Sequence, residues 1–69
     1  MTYSMEALEL RLATSWFIQR TIDQLADAGW TWEARRLEAD YNRALRFMPD
    51  LLSVRDTAEH LLAVLEATR

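Results

Sequence analysis

Cysteine and lysine are absent from this chain of 69 residues, and glycine, proline and histidine occur once each. Without cysteine no disulfide can form, and a structural zinc site, which takes four Cys or His ligands, cannot be built around His60 alone. A single glycine excludes a glycine-rich phosphate loop. Because a chain this short buries only about 60% of its unfolded surface, we expect it to be stabilised by self-association.

Long apolar runs and a basic leader are also missing. The longest uncharged stretch of the first predicted helix lies between Arg11 and Arg20, well short of the ~18 residues that a membrane span requires. Acidic Glu6 and Glu9 stand where a signal peptide would be basic. We therefore expect a protein of the bacterial cytoplasm with no membrane partner, and the use of arginine alone as the basic residue suggests a bacterial or phage source.

Positive charge is scarce and unevenly distributed. The net charge is −3, and only residues 31–48 carry more arginines than acids. Nucleic-acid binding requires a surplus of positive charge on one face. The charge therefore argues against nucleic acid as a partner.

Hydrophobic residues make up 51% of the chain, and their spacing predicts an all-α domain of three antiparallel helices. We expect helices over about 4–28, 31–47 and 51–68, within one domain of residues 1–69. Ser4 or Thr2 is the expected first N-cap, Gly29 the left-handed end of the first helix, and Thr31 the second N-cap. The third helix is expected to begin at Asp50 or Ser53, beyond Pro49.

The same spacing predicts which face of the second and third helices enters the core. We call the apolar residues on each of these faces a core stripe. The second helix has Ala34, Leu37, Tyr41, Ala44, Leu45 and Met48, and the third has Leu51, Val54, Ala58, Leu61, Leu62 and Leu65.

The first helix has too wide an apolar surface for its own chain to cover. At ~100° per residue its uncharged arc spans roughly 240°, more than twice what a surface helix buries. We expect one face to enter the core, with Leu8, Leu12, Ile18, Ile22, Leu25 and Ala26. The opposite face is expected to form a homodimer interface of Leu10, Thr14, Phe17 and Thr21. The alternative is that Leu10 and Phe17 are scattered surface hydrophobes, which are common.

The second helix combines arginine with aromatic residues opposite its core stripe. The candidate partner-binding surface consists of Trp32, Arg36, Arg43, Arg46 and Phe47. Aromatic and arginine side chains are enriched in binding hot spots. An alternative is that Trp32 folds over Trp30, Phe47 caps the core, and the arginines form a solvated face.

Catalytic chemistry has little support in the sequence. His60 is expected on an outer helix face, and no serine has a base placed beside it by a known motif. We predict no catalytic, cofactor-binding or metal-binding residues, no cofactor and no enzymatic activity.

In length, composition and expected architecture the whole chain resembles the small quorum-sensing anti-activators encoded by Pseudomonas phages. The resemblance implies a helical homodimer that binds a LuxR-type regulator at its DNA-binding domain and blocks DNA binding. It also implies inhibition of a type IV pilus assembly ATPase. No motif accompanies it, so no residue roles are transferred.

A helix-turn-helix DNA-binding regulator is the alternative function. The turn at Pro49–Asp50 is suitably short, and Arg35, Arg36, Arg43 and Arg46 could face DNA. The third helix is acidic, however, which makes it a poor recognition helix.

Overall fold

Three α-helices account for most of residues 4–69, which are the residues that the computed structural model describes. They are α1 (Met5–Asp27), α2 (Thr31–Ala44) and α3 (Met48–Ala67). Connections of three residues, 28–30 and 45–47, join them, and each helix packs against the other two. The predicted all-α, three-helix fold is confirmed for this range.

The boundary between α2 and α3 differs from the prediction. The second helix ends at Ala44 rather than at about residue 47, and α3 begins at Met48 with Phe47 as its N-cap, not at Asp50 or Ser53. Pro49 lies in the first turn of α3, where its missing N–H would have had no helical partner. The proline therefore starts the third helix.

The ends of α1 are capped as the sequence predicts. The Ser4 hydroxyl accepts a hydrogen bond from the Ala7 N–H at 3.1 Å, whereas Thr2 lies outside the described residues. Gly29 has φ +87°, the Trp30 N–H donates to the Leu25 carbonyl at 2.8 Å, and the Gly29 N–H donates to the Ala26 carbonyl. This pair of bonds is a Schellman motif.

Thr31 is not the N-cap of α2. Trp30 occupies that position without a side-chain capping bond, and Thr31 is the first helical residue.

The predicted stripes of α2 and α3 form the core. Leu37 and Leu51 are almost fully enclosed, and Leu45, Met48, Leu61 and Leu62 pack around the edge as partly buried residues. The buried residues of these two helices are Ala34, Leu37, Tyr41, Ala44, Leu51, Val54, Ala58 and Leu65.

The buried face of α1 is the predicted one only in part. Ile18 and Leu25 are buried and Ile22 is partly buried, as expected, whereas Leu8, Leu12 and Ala26, also assigned to the core, are exposed. The other buried residues of α1 are Thr14 and Thr21. Each buried threonine donates its hydroxyl to the carbonyl four residues earlier, Thr14 to Leu10 at 2.7 Å and Thr21 to Phe17 at 2.8 Å. With the hydroxyl satisfied inside the helix, the methyl group packs as an apolar surface.

This placement removes most of the predicted dimer interface from solvent. Thr14 and Thr21 are buried by their own chain, and Phe17 packs against the core as a partly buried residue. Only Leu10 remains exposed. The residues assigned to that interface are therefore corrected, because a second copy cannot reach the two threonines.

The first turns of α1 extend beyond the other helices. α1 has 23 residues and α2 has 14, which at ~1.5 Å per residue is roughly 34 Å against 21 Å. Every residue from Ser4 to Leu10 is exposed, and the molecule measures 45 × 20 × 16 Å. The N-terminal part of α1 thus carries apolar side chains that α2 and α3 do not cover.

Replacing Gly29 by alanine should destabilise the fold by about 1–2 kcal/mol, the cost of placing a Cβ in the left-handed region. No atom lies within 4 Å of the position that the Cβ would occupy, so the loss is one of backbone strain alone. Urea denaturation measures it. Gly29→Asn, which tolerates this region better, should lose less, and equal stability of wild type and Gly29→Ala would contradict the assignment.

Candidate functional site

An exposed apolar stripe follows the first half of α1. Met5, Leu8, Leu12 and Trp16 recur at three- and four-residue spacing and all are exposed. We call these four residues the α1 stripe. The sequence does not reveal this stripe, because the wide uncharged arc of α1 also allows Leu8 and Leu12 to lie in the core. The signal that could have identified the buried face is the three- and four-residue spacing of Thr14, Ile18, Thr21 and Leu25. Because two of these residues are threonines, the series does not read as a hydrophobic stripe.

Trp16 lies at the end of this stripe beside a hollow. The Arg20 guanidinium is 5.1 Å from the centre of the Trp16 ring, a cation–π contact that fixes the indole while leaving 60% of the residue exposed. Gln19 donates to the Tyr41 hydroxyl at 3.0 Å on the other side of the hollow. The hollow measures about 620 Å³ and is lined by Leu12, Ala13, Ser15, Trp16, Gln19 and Tyr41.

A second exposed surface lies on α2. Trp32, Arg36 and Arg43 are separated by four and seven residues, so they project from one side of the helix. We call these three residues the α2 row. The Arg36 guanidinium is 5.7 Å from the centre of the Trp32 ring, and Arg43 forms an ion pair with Asp40 at 2.7 Å. With 68% of Trp32 exposed, the indole is not folded into the core.

The five residues predicted to bind a partner do not form one surface. Arg46 lies on the α1 side of the molecule, in a groove with Leu8 and Met48, whereas Arg43 borders a hollow between α2 and α3. Phe47 is the exposed N-cap of α3. The structure therefore brings Trp32 and Arg36 into contact, keeps Arg43 on their side, and places Arg46 elsewhere.

Arg11 connects α1 to the end of α2. Its guanidinium Nη2 donates a hydrogen bond to the carbonyl of Leu45, the C-cap residue of α2. A cation at a helix C-terminus also interacts favourably with the helix dipole. The bond to Leu45 explains why a charged residue, Arg11, interrupts the otherwise uncharged arc of α1.

Side chains that could bind a metal ion do not cluster within residues 4–69. Among the described residues, no group of three or more His, Cys, Asp and Glu side chains could hold a metal ion. His60 is exposed on α3, as are Asp56, Glu59 and Glu66. None of the helices within residues 4–69 is long and apolar enough to cross a membrane.

Comparison of the chain with protein-family models, curated proteins and solved structures finds no match. The candidate surfaces are therefore defined by their own geometry.

Arg11→Met should lower the free energy of unfolding by about 1 kcal/mol, because the Leu45 carbonyl loses a charge-assisted hydrogen bond while the aliphatic packing is retained. Arg35→Met is the matched control, since Arg35 is exposed on α2 and its removal should change stability by less than about 0.5 kcal/mol. Chemical denaturation of both variants makes the comparison. Equal effects would show that the Arg11 bond does not stabilise the fold.

Proposed function

We propose that this protein is a non-enzymatic inhibitor that binds a host bacterial protein through the α2 row. The observation that carries the proposal is the exposed Trp32 ring with Arg36 stacked on it. Such a pair offers a large, partly immobilised contact area, and hot spots are enriched in tryptophan and arginine. A buried indole would instead have indicated a purely structural role.

The resemblance to phage anti-activators supplies the first partner to test. It makes the DNA-binding domain of a LuxR-type regulator the proposed target, with DNA binding blocked by occupation of that domain. A type IV pilus assembly ATPase is the proposed second target. The acidic outer face of α3 disfavours the helix-turn-helix alternative, since its carboxylates would meet DNA phosphates.

The inhibitor is proposed to be a homodimer formed through Leu12 and Trp16, the half of the α1 stripe that lies away from Leu8. Leu12 and Trp16 are both about three-fifths exposed beside the 620 Å³ hollow, and such an apolar surface favours a partner helix. Pairing two α1 helices in opposite directions, with a twofold axis on the exposed side of α1 midway between Leu12 and Trp16, would place Leu12 of each copy against Trp16 of the other. The same register would bring Glu9 close to Arg20 of the second copy, so charge complements apolar contact.

An antiparallel order of the helices within each chain belongs to the same proposal. Arg11 bonds to Leu45, and Gln19, further along α1, bonds to Tyr41, which comes earlier in the chain than Leu45. This is the contact pattern of neighbouring helices that run in opposite directions, and the three-residue connections favour it.

Trp32→Ala and Arg36→Ala should each weaken binding to the host protein by more than about 2 kcal/mol, the threshold of a hot spot. Calorimetric titration against a purified LuxR-type DNA-binding domain is the measurement. Thermal unfolding should change little, because both side chains are exposed. Val64→Ala, an exposed hydrophobic change on α3, serves as control. Wild-type affinity in both α2 variants would exclude this surface.

Leu12→Glu should convert the dimer into the 8.1 kDa monomer, because a carboxylate would be forced into an apolar interface. Leu10→Glu is the matched control, since Leu10 is exposed on the other flank of α1 and its substitution should leave the dimer intact. Sedimentation equilibrium at micromolar concentration distinguishes the masses. A wild-type mass of 8.1 kDa would refute the dimer.

A further inference from the structure

A groove separate from the α2 row lies where the projecting end of α1 passes the connection between α2 and α3. Its volume is about 530 Å³, within the range of ligand and peptide sites. The apolar part comes from Ala7, Leu8 and Met48, and the polar part from two guanidinium groups, those of Arg11 and Arg46. Among residues 4–69 no carboxylate lines it, although the chain as a whole is acidic.

The two arginines of this groove are not neutralised by their own chain. Within residues 4–69 the ion pairs join Arg43 to Asp40 and Arg55 to Glu59, and neither involves Arg11 or Arg46. The groove therefore presents concentrated positive charge beside an apolar surface, which complements a carboxylate carried by an apolar segment.

Arg11 is already held in position for such a role. One of its nitrogens donates to the Leu45 carbonyl, and a guanidinium has five N–H donors, so donors remain for a carboxylate. Because the existing bond restricts the side chain, less conformational entropy is lost when a ligand binds.

We propose that this groove binds an acidic amphipathic helix of the host protein, with a carboxylate on Arg46 and Arg11 and leucine-like side chains on Leu8 and Met48. A polypeptide is favoured over a small anion because exposed Met5 continues the apolar surface beyond Leu8, away from Leu12 and Trp16 of the proposed dimer. A helix with apolar residues at three- and four-residue spacing matches an elongated groove of this kind. The inference rests on the proposed function and assigns a second contact to the same inhibitor.

The test is a fluorescence anisotropy titration with a labelled, designed 16-residue helical peptide that carries leucines on one face and glutamates beside them. A second peptide replaces every glutamate by glutamine. We expect the acidic peptide to bind the wild-type protein and the neutral peptide to bind about tenfold more weakly, with the difference shrinking as salt is raised.

Two matched pairs of variants locate the site. Arg46→Gln should weaken acidic-peptide binding about tenfold, whereas Arg35→Gln, an exposed arginine of α2 outside the groove, should not. Leu8→Gln should weaken it, whereas Leu10→Gln should not, although Leu8 and Leu10 are both 47% exposed. Sedimentation of each variant shows that the oligomeric state has not changed.

Equal losses within either pair, or equal binding of the two peptides, would overturn the inference. The peptide titration requires no host protein, so its failure is distinct from failure of the proposed function. If the peptide fails to bind while Trp32→Ala still abolishes host-protein binding, the groove assignment alone is wrong. If the peptide binds as expected but Trp32→Ala and Arg36→Ala bind the host protein normally, the α2 row alone is wrong.

Discussion

The packing of α2 and α3 on the threonine-containing stripe of α1 is the constraint on which the rest of the molecule depends. Thr14 and Thr21 satisfy their hydroxyl groups with carbonyls of α1 itself, so these residues present methyl groups to the core beside Ile18 and Leu25. This fixes the direction in which α1 faces its neighbours. Every apolar residue on the other side of α1 is then left to solvent or to another molecule, and the α1 stripe is the result.

The lengths of the helices determine where the uncovered surface lies. α2 is nine residues shorter than α1, and the core begins only at Thr14, so residues 4–10 remain exposed. Arg11 is the last point of attachment, through its bond to Leu45. The groove forms where the exposed first turns of α1 meet the part of α1 that α2 and α3 cover. Its combination of charge and apolar surface thus follows from one long helix and one short one.

The sequence predicted the number of helices, the end of α1 at Gly29 and the core stripes of α2 and α3, because each has a local or periodic signal. It did not determine which face of α1 is buried, because any part of an uncharged arc of roughly 240° could face the core. A pattern based on hydrophobic residues also leaves out threonine. Trp32 and Arg36 were correctly grouped because both lie within α2. Arg46 was not, because α2 ends at Ala44 and the 100° interval no longer applies beyond it.

The separation of Arg46 from Arg43 affects how the proposed inhibitor would contact its target. If all these arginines and aromatic residues formed one patch, the partner would be recognised at one place only. Within that patch Arg43 is already partly neutralised by Asp40. Two patches on different sides of a domain only 20 × 16 Å in its shorter dimensions can contact two elements of one target at once. In the proposed function, affinity then increases because the second contact forms within a complex that the first contact already holds together. This arrangement avoids enlarging one apolar patch, which would promote aggregation.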